Sequence, residues 1–150
     1  MKVREIMTAE ILSVSPHISA KEALDFLFKH RISGLPVIDA NGKLVGMFTE
    51  KDVLKSVLPS YIEKVGKFVY DEDPKSTKRK MAGLAGIKVS QIMRKEVVTL
   101  DEETSLCEVA RIMLTQNARR IPIVDKQGKI KGIIAREDIV KAFAKEVQDK

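Results

Sequence analysis

The chain has 150 residues, of which 44% are hydrophobic and 32% are charged, and this composition excludes a disordered protein. No apolar run approaches the roughly 20 residues that a membrane helix needs, and the single cysteine excludes an internal disulfide. The net charge of +6 is compatible with anionic partners, and we expect a cytoplasmic protein, because repeated sequence already begins at Val3 and leaves no room for a signal peptide.

An internal repeat organises the whole chain. Residues 3–57 align without a gap with residues 89–143, at a constant offset of 86 (89 − 3 = 86). Similarity at a fixed offset defines the structural unit of a repeat protein. We therefore expect one repeat at 1–57, a linker at 58–88, a second repeat at 89–144 and a tail at 145–150.

The first half of each repeat is predicted to be a strand followed by a helix. Glu10–Val14 is a short β-branched run, which is typical of a strand. Ser19 and Glu22 match the S-x-x-E pattern of a capping box, which marks the beginning of a helix. Ser105 and Glu108 repeat the pattern, so we expect a helix to begin at the same place in both copies.

The second half of each repeat is predicted to be a hairpin and a closing helix. In the first copy, Leu35–Ile38 and Lys43–Phe48 are the predicted strands, and Glu50–Val57 is the predicted helix. The turn between the strands ends in Gly42, because glycine tolerates a positive φ. The second copy places the same elements at Ile121–Val124, Lys129–Ile134 and Arg136–Ala144.

The element order β-α-β-β-α, present twice, predicts an α/β (α+β) fold. A single repeat of about 55 residues buries little apolar surface alone. We therefore expect the two repeats to pack sheet to sheet with pseudo-two-fold symmetry. A cleft between the copies would then be the natural place for a ligand.

The linker is predicted to contain a helix at Lys75–Leu84, with Pro74 at its first position and Asp73 as its cap. Its three aromatic residues are interpreted either as an inert strap or as a ligand-responsive lid; they are Tyr61, Phe68 and Tyr70. The basic run Lys75–Lys80 (KSTKRK) supports an alternative function, in which a nucleic-acid-associated protein contacts phosphates through this run and surface Lys and Arg. No sequence signature of a nucleic-acid-binding domain accompanies it, so we expect nucleic acid not to be the main partner.

Three motifs occur in order in both repeats and resemble a tandem pair of CBS domains, named after cystathionine β-synthase. They are V-x-x-I-M at Val3–Met7 and Val89–Met93, the segments LPVID and IPIVD, and the runs Gly46–Asp52 (GMFTEKD) and Gly132–Asp138 (GIIARED). The resemblance implies a regulatory module without catalysis that binds AMP, ADP or ATP between the repeats, with S-adenosylmethionine or NAD as further ligands of the family. It requires no cofactor and acts on a regulated protein that the sequence does not identify.

The resemblance also implies a homodimer. The exposed helices carry apolar residues that one module cannot cover completely, and the interface would bury the rest; examples are Phe26, Phe28, Ile139 and Phe143. Cys107, on the first helix of the second repeat, is expected to be a buried and inert thiol.

Thr49 and Asp52 are the first candidate site residues. By resemblance they bind the ribose hydroxyls, and a carboxylate suits two adjacent hydroxyls because it offers two acceptor oxygens. The T-x-x-D pattern is also a capping box, and the two interpretations are compatible. In the second repeat Asp138 remains as a ribose residue, but Ala135 replaces the threonine.

Arg119 and Arg120 are the candidate phosphate-binding residues. Their counterparts in the first repeat are Ser33 and Gly34, and the alternative is a pair of solvated loop arginines. By resemblance, the two arginines would serve the ligand of Thr49 and Asp52. The adenine pocket implied by the family, whose members are otherwise interpreted as core, consists of Thr8, Ile11, Leu12, Gly34, Leu35 and Pro36.

Overall fold

The computed structural model describes residues 1–58 and 74–148. Its strands are β1 (Gly34–Ile38), β2 (Leu44–Thr49), β3 (Arg120–Val124) and β4 (Ile130–Ala135). Its α-helices are α1 (Ala20–His30), α2 (Glu50–Val57), α3 (Pro74–Ala82), α4 (Val89–Ile92), α5 (Leu106–Thr115) and α6 (Arg136–Gln148), with 3-10 turns at Val3–Glu5 and Gly83–Gly86. Strand β1 pairs with β2, and β3 pairs with β4, in two small antiparallel sheets. The predicted mixed fold with two repeats is confirmed.

Local sequence signals fix where the helices and turns begin. The Ser19 hydroxyl accepts a hydrogen bond from the backbone N–H of Glu22 at 3.0 Å, and α1 begins directly after it. Ser105 does the same for α5, with 3.3 Å to the N–H of Glu108. Gly42 and Gly128 both adopt a φ of +81°, so the predicted turn geometry is confirmed in both hairpins.

The predicted first strand of each repeat is reduced to a single bridge. Glu10–Val14 forms no strand; only Val14 pairs, in parallel, with Val37, and its N–H donates to the carbonyl of Pro36 at 3.1 Å. Leu100 pairs in the same way with Ile123. Proline has no N–H to donate, so a ladder along this edge of β1 or β3 is interrupted at the proline.

Two helices differ in extent from their predictions. Helix α6 continues to Gln148, four residues beyond the predicted end at Ala144. Helix α3 begins at Pro74 as predicted but ends at Ala82, where the 3-10 turn Gly83–Gly86 follows. The expected cap Asp73 and the linker residues Tyr61, Phe68 and Tyr70 lie outside the described residues.

The chain forms two compact units that exchange segments between the sequence repeats. Unit I comprises Met1–Ser13, Ile38–Val45 and Glu96–Lys150, and unit II comprises Val14–Val37 and Gly46–Lys95. The beginning of the first repeat therefore belongs with the hairpin of the second: Thr8 and Ile133 exchange backbone hydrogen bonds of 2.9 and 3.0 Å. The beginning of the second repeat belongs in the same way with β2.

Each unit has its own apolar core. In unit I the buried residues come from both halves of the chain and include Val3, Leu100, Leu106, Val109, Met113, Ile121, Ile123, Ile134 and Ile139. In unit II they include Ala23, Leu27, Leu35, Val37, Phe48, Val53, Leu84 and Val89. Ile139 is only 3% exposed and is a core residue of unit I, so it is one of the four named helix residues that its own unit covers.

Candidate functional site

Thr49 and Asp52 lie at the junction between β2 and α2 in unit II. Thr49 ends the strand and caps the helix, and its hydroxyl accepts from the N–H of Asp52 at 3.3 Å. In return, Oδ2 of Asp52 accepts from the N–H of Thr49 at 2.9 Å and from its hydroxyl at 3.0 Å. The capping box that the sequence predicts is therefore confirmed.

This box orients the Asp52 carboxylate. Both side chains are half-buried, and the two bonds from Thr49 converge on Oδ2. Within residues 1–58 and 74–148, the other carboxylate oxygen, Oδ1, accepts no hydrogen bond. A carboxylate oxygen has two acceptor lone pairs, so Asp52 retains capacity for the hydroxyl groups of a ligand.

Gly34 packs directly against Thr49. A Cβ atom at Gly34 would stand 2.8 Å from Cγ2 of Thr49 and 3.2 Å from the carbonyl oxygen of Phe48. The cross-strand neighbour therefore requires a glycine at this position, independently of any ligand. Leu35 is 1% exposed and Pro36 is buried, so both belong to the core of unit II.

Asp138 occupies the equivalent junction in unit I, between β4 and α6. Its Oδ2 accepts from the N–H of Ala135 at 2.9 Å, but Ala135 has no hydroxyl to complete the box. Arg120 begins β3 directly opposite Ala135, and the carbonyl of Arg119 accepts from the N–H of Arg136 at 3.0 Å. Both candidate phosphate arginines are exposed and belong to unit I.

The structure distributes the six candidate adenine residues over two units. Thr8, Ile11 and Leu12 belong to unit I, where Thr8 pairs with Ile133 of β4. Thr8 is exposed, Leu12 is 44% exposed and Ile11 is half-buried. The other three residues, Gly34, Leu35 and Pro36, belong to unit II with Thr49 and Asp52.

Arg94 lies against β2 in unit II, and the sequence alone does not mark it as a site residue. It is the counterpart of Thr8 (8 + 86 = 94), and its backbone exchanges two hydrogen bonds of 2.9 Å with Met47 of β2. The offset alone signals the equivalence of Thr8 and Arg94. The offset does not signal that the segment around Thr8 packs on the second hairpin and the segment around Arg94 packs on the first.

Other kinds of site lack support in the described residues. Within residues 1–58 and 74–148, no group of three or more His, Cys, Asp or Glu side chains is arranged to hold a metal ion. No helix in the same ranges combines the length and apolar character of a membrane span. Cys107 is exposed rather than buried, because the neighbouring residues Leu106 and Val109 face the core on α5.

Comparison with known proteins matches the chain to one domain family and to several relatives. The CBS domain family model matches the chain twice, at residues 3–59 and 89–145. The inosine-5'-monophosphate dehydrogenase of Aquifex aeolicus is 36% identical over 131 residues, which are 87% of this chain and 22% of that protein. The chain spans 63% of the length of a second curated relative, the chloroplastic CBS domain-containing protein CBSX1 of Arabidopsis thaliana.

Two similar solved structures contain adenosine compounds. The structure of CBSX2, a CBS-pair protein from Arabidopsis thaliana, in complex with AMP has a TM-score of 0.74 and 29% identity, and the match covers 96% of each chain. The CBS domain pair of protein MJ0100, in complex with 5'-methylthioadenosine and S-adenosyl-L-methionine, has a TM-score of 0.69 and 27% identity, covering 97% of this chain and 98% of that one.

Proposed function

The chain belongs to the CBS domain family, and on this premise we propose that it is a non-catalytic regulatory module that binds an adenosine-containing ligand. The observation that carries the proposal is the Thr49–Asp52 box. It holds one carboxylate oxygen by two hydrogen bonds and leaves the other oxygen with acceptor capacity. The ribose of an adenosine compound presents two adjacent hydroxyl donors, which a carboxylate accepts.

AMP, ADP and ATP are the ligands that we propose first. The similar structure of CBSX2 is a complex with AMP. The pair of protein MJ0100 binds S-adenosyl-L-methionine and 5'-methylthioadenosine, so these compounds are the competing ligands, together with NAD. The common part of all of them is an adenine-linked ribose, and Asp52 is proposed to bind that part.

The phosphate role of Arg119 and Arg120 also remains a proposal. Both side chains are exposed, and a guanidinium binds a phosphate through two parallel hydrogen bonds. Arg120 begins β3 and Arg119 directly precedes it, so their backbone positions are defined by the sheet. A phosphate-binding role predicts that their replacement weakens nucleotides but not adenosine.

We propose that the signal is passed on through a homodimer and a regulated protein. Apolar side chains are exposed at equivalent positions of both repeats. Phe28 and Leu54 are 62% and 57% exposed, and their counterparts Leu114 and Val140 are 76% and 66% exposed. Repeated exposure at the same offset suits a self-complementary interface between two copies. The single cysteine agrees with a reducing, cytoplasmic setting.

Nucleic-acid binding is the second candidate function. Lys78, Arg79 and Lys80 on α3 are exposed, and none of them forms an ion pair with a described residue. Salt separates the two candidates. Binding to a phosphate backbone falls steeply with salt concentration, whereas binding through ribose and adenine contacts falls much less.

A thermal-shift panel tests the proposed function. It compares adenosine, AMP, ATP, S-adenosylmethionine and NAD with GTP as the control that lacks adenine. A ligand present at about 100 times its Kd adds about 2.7 kcal/mol of stability. For a chain of this size, that raises Tm by roughly 5–10 °C. A Tm that no adenosine compound raises contradicts the proposal.

A further inference from the structure

Arg94 is held beside β2 by its backbone. Its N–H donates to the carbonyl of Met47 at 2.9 Å, and its carbonyl accepts from the N–H of Met47 at the same distance. The two residues form an antiparallel bridge within unit II. Two residues that exchange both bonds lie directly opposite each other, with Cα atoms about 5.5 Å apart.

The bridge determines the face on which the Arg94 side chain lies. Side chains of directly opposed residues share a face, and so do residues two apart on one strand. Arg94 therefore shares a face with Met47 and with Thr49. It is the diagonal neighbour of Thr49, at a distance of about 7–8 Å, which long side chains can span.

The neighbouring side chain confirms this alternation. Met93 precedes Arg94 and lies on the opposite face, where its sulfur stands 2.7 Å from the position of a Cβ atom at Gly46. Lys95 follows Arg94, and alternation directs it to the same face as Met93. Arg94 is exposed and forms no ion pair with a residue of the described chain. Its guanidinium is therefore not committed to a carboxylate.

The two units differ at the positions around the equivalent aspartates Asp52 and Asp138. In unit II the strand end carries Thr49, Gly34 packs against it from one side, and Arg94 lies on the other side. In unit I the strand end carries Ala135, with Arg120 opposite it. There Thr8 occupies the position of Arg94. Each unit thus places one arginine next to the residue that ends its second hairpin strand, Thr49 or Ala135, but from opposite sides of that strand.

We propose that Arg94 is a specificity-determining residue of the Thr49–Asp52 site, where it binds the phosphate of the ligand. This inference rests on the proposed function, because it requires an adenosine compound on Asp52. Arg94 would select phosphorylated adenosine compounds over those without phosphate, since its guanidinium offers two parallel donors to phosphate oxygens. The sugar hydroxyls on Asp52 and the phosphate on Arg94 would bind side by side on one face.

The variant Arg94→Thr tests the inference, because threonine is the residue at the equivalent position of unit I. Calorimetry measures AMP and adenosine separately. Loss of a charge-assisted contact is expected to raise the Kd of AMP about ten- to a hundredfold. The Kd of adenosine is expected to stay at its parent value. The matched control Lys95→Thr removes the same charge from the adjacent residue and is expected to leave both values unchanged.

The outcomes separate this inference from the proposed function. If the parent chain binds none of the adenosine compounds of the thermal-shift panel, both are wrong. If it binds only compounds without a phosphate, the inference about Arg94 alone is wrong. If it binds both AMP and adenosine, and Arg94→Thr changes neither Kd or weakens both equally, only the inference about Arg94 is wrong. If Arg94→Thr does not fold, Arg94→Lys replaces it; the lysine keeps the charge but loses the two-pronged geometry, so AMP must still weaken relative to adenosine. Equal effects of Lys95→Thr and Arg94→Thr on AMP also contradict the inference.

Discussion

The sulfur of Met93 lies 2.7 Å from the point where a Cβ atom would stand at Gly46. The carbonyl oxygen of Arg94 lies 2.8 Å from the same point. The arrangement recurs in unit I, where the sulfur of Met7 lies 2.6 Å from the corresponding point at Gly132. The methionine of the V-x-x-I-M motif and the hairpin glycine are therefore a sterically matched pair in each unit.

Gly46→Ala is expected to destabilise the fold. The added methyl group would displace the Met93 side chain and also press on the backbone at Arg94, which does not move easily. Overpacking of this kind costs about 1–3 kcal/mol, and each kcal/mol lowers Tm by about 2–4 °C for a chain of this size. The control is Gly83→Ala, where, among the described residues, no atom outside the local backbone lies within 4 Å of the new Cβ. Thermal unfolding that ranks the two variants equally would contradict the close approach.

Ser19→Ala is expected to weaken the beginning of α1. The variant removes the hydroxyl that accepts from the N–H of Glu22 at 3.0 Å. Loss of a cap of this type costs about 1 kcal/mol, or about 2–4 °C in Tm. Ser90→Ala is a suitable control, because the Ser90 hydroxyl makes no hydrogen bond within the described part of the chain. A Tm of Ser19→Ala equal to that of the control would show that the cap is energetically neutral.

A charge at Phe28 is expected to disrupt the proposed homodimer. Phe28 is 62% exposed on α1, so Phe28→Glu should leave the fold of one chain intact while opposing apolar contact between copies. Light scattering is expected to show a dimer for the parent chain and a monomer for this variant. Val147→Glu, at a residue 75% exposed near the end of α6, serves as the control. A parent chain that is monomeric at micromolar concentration would refute the homodimer.

Arg120→Ala is expected to weaken AMP and ATP while sparing adenosine. The variant removes a guanidinium that the family resemblance assigns to phosphate, and such a contact corresponds to about ten- to a hundredfold in Kd. Calorimetry with AMP and adenosine measures the difference. Lys126→Ala is the control, because it removes an exposed positive charge from the tip of the β3–β4 hairpin. Identical nucleotide affinities of the two variants would remove Arg120 from the phosphate role.

Local sequence signals were sufficient for most of the fold. The serine caps of α1 and α5, the turn glycines Gly42 and Gly128 and the Thr49–Asp52 box depend on neighbours within four residues, and each is present as predicted. The missing first strand has a different cause, since a strand exists only if a partner offers hydrogen bonds along its length. Pro36 removes one of those donors, and Val14 keeps a single bridge.

The candidate site was less predictable than the fold. Packing between distant parts of the chain decides whether the segment after Ile92-Met93 pairs with the first or the second hairpin. This packing cannot be predicted from composition or periodicity. Arg94 was overlooked for this reason, although the repeat offset equates it with Thr8. The exposure of Cys107 could not be predicted from the sequence either. The register of α5 on its core decides that Leu106 is buried and the adjacent Cys107 is exposed.

The central claim is that an adenosine ligand binds through the Asp52 carboxylate. Its most direct test is calorimetry of AMP with Asp52→Ala and with the matched variant Asp138→Ala. Both variants remove a carboxylate that accepts a backbone hydrogen bond of 2.9 Å at the beginning of a helix, and Asp52→Ala also removes the acceptor of the Thr49 hydroxyl. We expect Asp52→Ala to weaken AMP by about ten- to a hundredfold, and Asp138→Ala to have a smaller effect. Unchanged binding by Asp52→Ala, or a larger loss for Asp138→Ala, would contradict the claim.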